Sequence, residues 1–375
     1  MLRKIDKPLL FISLALFIFG LIMILSASSM ESYMRYDASP YHYFIRQGIF
    51  LILGIIAFII VLLYPTKAYK PISNILMLII SGCLFGLTVW GHSANQAQSW
   101  FAIGPFSLQP SEFAKIIMII FLAMYYDKHK NDMDNPWVLI KPMILCFMLS
   151  GLVAIQPDLG TAGILGLIAL IMFYALPMEK KSRSIFNKLF LAVLLLVVSV
   201  FVVTKGTILK DYQLQRFNFF NPCDRYQEES GYQLCNSFIA FKNGGLMGQG
   251  IGESTQKYLY LPESYTDFIF PIIVEEWGLL VGILIIILLF VVLFRILKIA
   301  MNAPNIRCSL IAYGVFSYIL LHISVNLLGV MGLAPLTGVP LPFFSYGGSY
   351  MLSLCVALGL VQRVAIESNK KKKIK

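Results

Sequence analysis

Acidic residues cluster at the start of a long apolar segment, in the stretch LPESYTDFIFPIIVEEWG at residues 261–278. Glu263 and Asp267 precede the apolar run, and Glu275 and Glu276 lie inside it. Partial desolvation raises the pKa of a carboxyl group, which makes the carboxylate a stronger base near neutral pH. An acid at the mouth of a membrane helix is therefore a candidate general base, and a helix N-cap is the structural alternative.

The composition around this cluster is that of a polytopic membrane protein. Of the 375 residues, 58% are hydrophobic and only 13% are charged, whereas a soluble domain has roughly 25% charged residues. A helix needs about 20 apolar residues to cross the hydrocarbon core. Ten segments are predicted to cross: 8–28, 45–64, 72–91, 111–126, 138–155, 161–177, 189–204, 268–294, 309–330 and 348–366. The first lacks a clean small-residue cleavage site, so it is predicted to be a retained helix.

Lys and Arg residues predict the orientation of these segments. With the N-terminus inside, most of them fall in cytoplasmic pieces, and the short external loops 156–160 and 331–347 contain none. The positive-inside rule therefore places both termini in the cytoplasm. We expect an all-α fold with a ten-helix membrane domain at 1–366, a large extracytoplasmic loop at 205–266 between helices 7 and 8, and a basic cytoplasmic tail at 367–375 against anionic lipid. The net charge of +11 follows from this topology, and no nucleic-acid partner is expected.

Polar residues that a bilayer should exclude collect on the outer side of these segments. Glu112 and Lys115 are three residues apart at the start of the fourth segment, so they share a helix face and can pair. The pair either only fixes packing or faces a site. Trp100 precedes this helix, where an interfacial Trp commonly marks headgroup depth. Asp158, in the external turn QPDLG, either caps the next helix or holds a cation.

The long outer loop contains a glycine run, NGGLMGQGIG at 243–252. Glycines permit close backbone approach and positive φ, and such a run forms either an anion-binding nest or a flexible loop. The preceding segment 232–241 is amphipathic, which is typical of a helix lying on the membrane surface. Cys223 and Cys235 either form a disulfide outside the cell or stay unpaired. The remaining cysteines lie in apolar segments and are predicted to be packing residues: Cys83, Cys146, Cys308 and Cys355.

The last outer loop, residues 332–350, has three prolines, four glycines and no charged residue. Irregular backbone at membrane depth is tolerated only where it is buried in protein or lines a watery cavity. We therefore expect this loop to form part of a cavity wall, with Ser345, Tyr346, Gly347 and Gly348 as candidate substrate contacts.

Five motifs, in order along the chain, resemble the SEDS family (shape, elongation, division and sporulation): QPSEFAK, QPDLGT, NGGLMGQGIGESTQK, TDFIFPIIVEEWG and LPFFSYGGS. The resemblance covers nearly the whole chain. It implies a peptidoglycan glycosyltransferase in the bacterial cytoplasmic membrane that polymerises lipid II on the outer face, in cell division or cell-shape maintenance. It also implies a class B penicillin-binding protein and other divisome or elongasome membrane proteins as partners. The segment GIGESTQKYLYLPE resembles the division and sporulation branch, which we favour, whereas PLPF resembles the elongation branch.

The resemblance also assigns roles to residues. Asp267 matches the essential aspartate, which is interpreted as the base that deprotonates an attacking sugar hydroxyl. Glu112 and Lys115 match a conserved pair on the fourth helix, and Asp158 matches the acid of the PDLGT turn. Two further residues have counterparts in the family's motifs: Trp100 and Arg46.

The leaving pyrophosphate needs positive charge or hydrogen-bond donors. The candidates are the N–H groups of the glycine run and the side chains of Lys115, Arg46, Arg216 and Lys242. Glu263 and Thr266 adjoin Asp267 as further candidate contacts. No dedicated cofactor is expected, and a divalent cation, Mg²⁺ or Mn²⁺, would have Asp158 or Glu263 as its ligand. The chain departs from the family's pattern at Gln98–Ser99, Tyr265 and Pro271, which changes the local charge around the phosphates.

Two other functions use the same features. A lipid II flippase would need polar residues that reach both membrane faces, and secondary transporters often have an inverted repeat. The sequence shows an outward bias and no clear repeat of this kind. A non-enzymatic scaffold that recruits a cell-wall synthase would leave Asp267 and the glycine run without a purpose.

Overall fold

The structure of the chain is a computed structural model that describes residues 4–90, 92–94, 97–103, 106–203 and 218–371. The described part is mostly helical, as predicted. Its α-helices are α1 (Lys7–Tyr36), α2 (His42–Leu63), α3 (Ser73–Trp90), α4 (Pro110–Lys128), α5 (Pro136–Ile155), α6 (Leu159–Tyr174), α7 (Lys180–Val203), α8 (Glu229–Gly244), α9 (Ile269–Met301), α10 (Ile306–Val330) and α11 (Gly348–Lys371). Short 3₁₀ helices occur at Thr66–Tyr69 and Pro222–Arg225.

Each predicted membrane segment overlaps one of these helices. Within the described residues, six helices are long and apolar enough to cross a membrane, namely α1, α2, α5, α9, α10 and α11, while α3 and α6 contain shorter apolar helical stretches. The chain is therefore a multi-pass membrane protein. α7 begins at Lys180 rather than at residue 189, because Lys and Arg lower hydropathy but are good helix formers.

A small antiparallel sheet between α3 and α4 corrects the all-α prediction. Its strands are β1 (His92–Ala94), β2 (Ala97–Ile103) and β3 (Phe106–Leu108), in the order β1-β2-β3. A Gly-Pro dipeptide in the sequence is flanked by the segments SWFAI and FSL. Apolar and aromatic runs on either side of such a dipeptide are a hairpin signal, which the hydropathy-based prediction did not use.

The helices differ in how much of their surface is buried inside the protein. In the apolar stretch that could cross a membrane, 89% of the residues of α11 and 61% of those of α10 are buried inside the protein. The corresponding share in α2 is 17%. α4 is also buried along most of its length. These three inner helices carry the buried polar side chains that a lipid-facing helix cannot carry.

α9 is interrupted at Gly278, where the φ of 85° lies in the left-handed region. The break leaves backbone groups of α9 without partners inside the helix, and the glycine run supplies them. Four hydrogen bonds join the two segments: Leu279 N–H to Gly245 O (2.9 Å), Leu280 N–H to Leu246 O (3.3 Å), Gln249 N–H to Glu275 O (2.9 Å) and Gly250 N–H to Glu276 O (3.0 Å).

This contact explains the glycines of the run. A Cβ atom would lie 2.1 Å from Val274 O if added at Gly244, and 2.3 Å from Glu276 O if added at Gly248. The N–H groups of Gln249 and Gly250 donate to α9, so these two groups are not available to bind an anion. The backbone of residues 245–250 hydrogen-bonds to α9 on both sides of the break. We call this contact the seal.

The two acids inside the apolar run reinforce this seal. Glu275 and Glu276 are fully buried. Glu275 accepts hydrogen bonds from Asn243 Nδ2 (2.9 Å), Thr255 Oγ1 (2.8 Å), Ser254 Oγ and Gln256 N–H (3.2 Å). Glu276 pairs with the buried Lys257 at 3.0 Å and accepts from Ser26 of α1 at 2.6 Å. These carboxylates therefore hold the segment 254–257 and α1 against α9.

A second buried ion pair lies among the inner helices. Lys115 Nζ is 2.8 Å from Glu112 Oε1 and 2.9 Å from His322 Nε2. Both side chains of the pair are almost fully buried, with exposures of 0% and 3%. His322 Nδ1 lies 3.2 Å from Pro340 O, so the pair links α4 and α10 to the last outer loop. The structure thus places Glu112 and Lys115 in a buried contact between helices, and their role as substrate contacts stays a prediction.

α8 packs against the rest of the protein along one face. Cys223 and Cys235 form a disulfide, which decides between the two alternatives. Leu234 and Ala240 are buried, and Ser237 Oγ donates to Val330 O at 2.8 Å. The apolar face of this amphipathic helix therefore packs against α9 and the end of α10.

Gly278→Ala should destabilise the protein. A non-glycine residue at positive φ costs about 1–3 kcal/mol, and the added Cβ would lie 2.3 Å from Leu246 O. We expect a lower midpoint of thermal unfolding in detergent. Gly163→Ala, at a helical glycine with nothing within 4 Å of its Cβ position, is the control and should leave the midpoint unchanged or raise it. Equal midpoints for both variants would contradict this account of the break.

Lys115→Met should be more destabilising than the double variant Glu112→Gln/Lys115→Met. Removing one member of a buried ion pair leaves an uncompensated charge, which costs about 3–5 kcal/mol. The double variant removes both charges and should recover most of the lost stability, measured as the unfolding midpoint of purified protein. If the double variant is no more stable than Lys115→Met, the pair is not what holds α4 in place.

Candidate functional site

Asp267 lies two residues before Ile269, the first residue of α9, and is half-buried. The N-cap position of α9 is Phe268, with no side-chain capping hydrogen bond, so Asp267 is not the helix cap. Thr266 Oγ1 lies 3.0 Å from Asp267 Oδ1 and 2.8 Å from Glu263 Oε2. A hydroxyl group has one proton to donate, so Thr266 serves one of the two carboxylates at a time. The site therefore has two acids on either side of one hydroxyl.

A tight turn presents these side chains. Glu263 has a φ of 56°, a left-handed conformation that is uncommon for residues other than glycine. Its carbonyl accepts hydrogen bonds from Thr266 N–H at 3.1 Å and Phe268 N–H at 3.2 Å. The turn fixes the spacing of Glu263, Thr266 and Asp267 before the helix begins.

Asn326 of α10 connects this turn to the last outer loop. Its Nδ2 donates to Asp267 O at 2.8 Å and to Val339 O at 2.8 Å, and the side chain is buried. His322, four residues earlier on the same face of α10, contacts Pro340 O. Gly338 borders the carboxylate, because a Cβ added there would lie 3.9 Å from Asp267 Oδ2. α10 thus holds Asp267 beside residues 338–340.

Asn326 and His322 are site residues that the sequence motifs did not predict. The signal was present, because two polar residues four apart in an apolar span share one helix face, and intramembrane polar residues usually face the protein interior.

Aromatic residues and an arginine form the neighbouring wall. Tyr346 N–H donates to Tyr265 O at 2.9 Å. The ring of Tyr43 lies 4.5 Å from that of Tyr265 and 5.0 Å from that of Tyr346, measured between centroids. Burial raises the pKa of Tyr346, and the Arg46 guanidinium at its hydroxyl opposes that shift. Burial also raises the pKa of Tyr265, so both tyrosines are neutral donors at neutral pH.

Gln47 attaches the same loop to α2. Its Nε2 lies 3.4 Å from Ser345 O, and its Oε1 accepts from Gly347 N–H at 3.2 Å. Arg46 and Gln47 therefore bring α2 and residues 345–347 to the turn that carries Asp267. Two positions that depart from the family's pattern lie nearby. Tyr265 is part of the aromatic wall, and Pro271 lies in the first turn of α9, where a missing backbone N–H costs no hydrogen bond.

Asp158 borders the last outer loop from the other side. It caps α6 by accepting from Thr161 N–H at 3.0 Å, and its second oxygen lies 3.3 Å from Gln109 Nε2. A Cβ added at Gly160 would lie 2.9 Å from Thr337 O, so the turn packs closely against residue 337. Gly160, two residues after Asp158, and Asp267 are thus adjacent to consecutive residues of one loop, Thr337 and Gly338.

Other predicted site residues lie elsewhere or serve packing. Ser345 is buried and binds Leu341 N–H at 2.7 Å, and a Cβ at Gly348 would lie 2.4 Å from the ring of Phe50. Trp100 lies in β2 opposite His92, and Lys242 is exposed near the end of α8. Arg216 lies outside the described residues.

Asp158 and Glu263 are the candidate ligands of a divalent cation. Among the described residues, no group of three or more His, Cys, Asp or Glu side chains is placed to hold a metal ion. Asp158 uses one carboxylate oxygen as a helix cap, and Glu263 Oε2 bonds Thr266.

Comparisons with known proteins agree with the motifs. The family model of FtsW, RodA and SpoVE, described as "Cell cycle protein", matches residues 7–370. The "Probable peptidoglycan glycosyltransferase FtsW" of Bacillus subtilis is 38% identical, over 100% of this chain and 94% of that protein. The "Stage V sporulation protein E" of the same organism is 35% identical, over 96% of each chain.

A solved structure shares the fold. It is described as "Structural coordination of polymerization and crosslinking by a peptidoglycan synthase complex", and one of its chains matches with a TM-score of 0.76 and 25% identity, over 97% of this chain and 98% of that one. A match to the family model over almost the full length, together with FtsW-named relatives above 30% identity, shows that the chain belongs to the SEDS family of FtsW, RodA and SpoVE, and the FtsW-named relatives support the FtsW-like branch.

Proposed function

We propose that the chain is a peptidoglycan glycosyltransferase that polymerises lipid II into glycan strands on the outer face of the bacterial cytoplasmic membrane, in cell division. The observation that carries this proposal is the presentation of Asp267. Its carboxylate is half-buried, is not a helix cap, and is held by Asn326 beside the exposed Gly338. The names of the relatives support the reaction class.

The reaction joins two lipid-linked disaccharides. A hydroxyl oxygen of one sugar forms a bond to the anomeric carbon of the other, the bond from that carbon to the pyrophosphate oxygen breaks, and the lipid pyrophosphate leaves. Asp267 accepts the hydroxyl proton as general base, a role that typically contributes about 10²–10⁴-fold to the rate. Because Asp267 stands at the start of a membrane helix, the lipid tail stays in the bilayer while the sugar reaches the carboxylate.

Other residues bind and orient the two substrates. Arg46 supplies positive charge near the aromatic wall, where the leaving pyrophosphate needs it. Thr266 orients the Asp267 carboxylate through its hydroxyl group. Residues 338–340 and the Asp158 turn form the opposite border of the site.

The proposed topology has ten crossings with both termini in the cytoplasm. α1 to α7 and α9 to α11 are the crossing helices in this proposal, α8 belongs to the extracytoplasmic loop 205–266, and 367–375 is a basic tail. A class B penicillin-binding protein is the proposed partner, with other division membrane proteins. The similarity to a chain of a complex that couples polymerisation to crosslinking supports this partnership.

Asp267→Asn should abolish glycan synthesis without unfolding the protein. The amide cannot accept the hydroxyl proton, whereas its size is nearly that of the acid. The measurement is polymerisation of purified lipid II by purified protein, with and without a co-purified class B penicillin-binding protein, resolved as glycan strands on a gel. Asp134→Asn, at an exposed acid in the α4–α5 connection, is the control and should keep full activity. Normal strands from a folded Asp267→Asn protein would exclude the general-base role.

The same samples separate the alternatives. A flippase would move labelled lipid II across vesicles without making strands, and a scaffold would do neither on its own.

Asn326→Leu should lower kcat while leaving KM for lipid II nearly unchanged. Leucine keeps the volume but removes the N–H groups that hold the Asp267 and Val339 carbonyls, and a displacement of about 1 Å at a catalytic group can cost about 10²-fold. The measurement is the initial rate of polymerisation at several lipid II concentrations. The control is Asn302→Leu, at the exposed end of α9 away from Asp267. A folded Asn326→Leu protein with normal kcat would show that this contact does not position the base.

A further inference from the structure

The segment that hydrogen-bonds to α9 at its break exposes apolar side chains and buries several polar ones, the opposite of what is usual in a loop that faces water. Three large apolar residues point outward: Leu246 is 63% exposed, Met247 is 80% exposed and Ile251 is 64% exposed. Of the polar residues that follow, Ser254, Gln256 and Lys257 point inward and are all less than 7% exposed, while Glu253 and Thr255 are exposed. We call residues 246–251 the apolar loop. Exposed apolar side chains above a buried polar layer indicate contact with a non-aqueous environment.

The apolar loop is held rigidly next to α9. Leu280 N–H donates to Leu246 O at 3.3 Å, and Gly250 N–H donates to Glu276 O at 3.0 Å. Beneath it, the Lys257–Glu276 ion pair is buried. The outward position of these apolar side chains is therefore set by the fold and does not depend on a freely moving loop.

The surface of α9 beside the loop faces lipid. Residues 269–276 are buried in protein, but Leu279, Leu280 and Ile283 are 43%, 52% and 45% exposed. An apolar helix surface that is exposed in a membrane protein contacts acyl chains. Leu246 is hydrogen-bonded to Leu280, so the apolar loop continues this lipid-facing surface.

The length of α9 sets the depth of the loop. From Leu279 to Lys298 the helix rises about 28 Å at 1.5 Å per residue, close to the roughly 30 Å thickness of the hydrocarbon core. Lys298 is charged and exposed, so it marks one edge of the core. Leu279 and the loop beside it then lie at the other edge, where one leaflet's headgroups meet its acyl chains.

We propose that the apolar loop inserts Leu246, Met247 and Ile251 into the leaflet at the Asp267 end of the protein. The ligand is the phospholipid surface itself, met at the boundary between headgroups and acyl chains. This anchors the glycine run in the membrane, next to the half-helix that begins at Asp267. The inference rests on the exposure, the hydrogen bonds and the depth of the loop, and not on the proposed glycosyltransferase reaction.

The test places a polarity-sensitive fluorophore on single cysteines in the full chain, after Cys83→Ala. One variant is Met247→Cys, and the matched control is Glu253→Cys, at an exposed acid of the same segment. Both proteins are reconstituted without a partner into phosphatidylethanolamine–phosphatidylglycerol vesicles. Quenching by nitroxide-labelled phospholipid is compared with quenching by aqueous iodide.

We expect severalfold stronger quenching by nitroxide lipid at position 247 than at position 253, and the reverse order with iodide. Equal iodide quenching at both positions would place the loop in water and overturn the proposal. A label at position 247 that neither quencher reaches would show that protein covers the loop, which also overturns it. Because lipid II polymerisation is not measured, failure here leaves the proposed reaction untouched.

Discussion

A backbone N–H or C=O group inside a membrane protein has little water to bond, so a broken helix must be closed by other parts of the chain. Gly278 breaks α9, and four backbone hydrogen bonds from residues 245–250 close it. The glycines at 244 and 248 are required because the two backbones approach more closely than a Cβ allows. Glu275 and Glu276 add buried hydrogen bonds on both sides of the contact. This seal fixes the half-helix that starts next to Asp267, and so the position of the acid depends on it.

Buried polar groups on α10 extend the same principle to the opposite wall of the site. His322 joins the Glu112–Lys115 pair to Pro340, and Asn326 joins Asp267 to Val339. Residues 337–340 are irregular backbone, and these side chains supply partners that a helix or sheet would otherwise provide. The buried polar residues of α10 thus affect the site indirectly, because their hydrogen bonds fix the position of residues 337–340 relative to the turn that carries Asp267.

The site and the apolar loop lie at the same end of the molecule and present surfaces of different chemistry. The turn at 263–267, Arg46 and residues 338–340 present polar groups to sugar and phosphate in the proposed reaction. In the proposed insertion, the apolar loop presents hydrocarbon to the leaflet from which a lipid-linked substrate would arrive. A polymerase of lipid-linked sugars needs both surfaces close together, since the reacting sugar is tethered to a tail that does not leave the membrane.

The sequence by itself determined the membrane class, the position of nearly every helix and the family, because long apolar runs and five ordered motifs are local features of the chain. It also located Asp267 at the mouth of α9 and the turn at Asp158. It did not predict the sheet between α3 and α4, whose strands are short and weakly marked. Only the tertiary structure showed that the glycine run seals a broken helix, that Glu112 and Lys115 are buried, that Ser345 and Gly348 serve packing, and that Asn326 holds Asp267. The physical reason is that these roles are defined by partners far away in the sequence, and a local pattern of residues cannot say which distant carbonyl, amide or ring will fill its contacts.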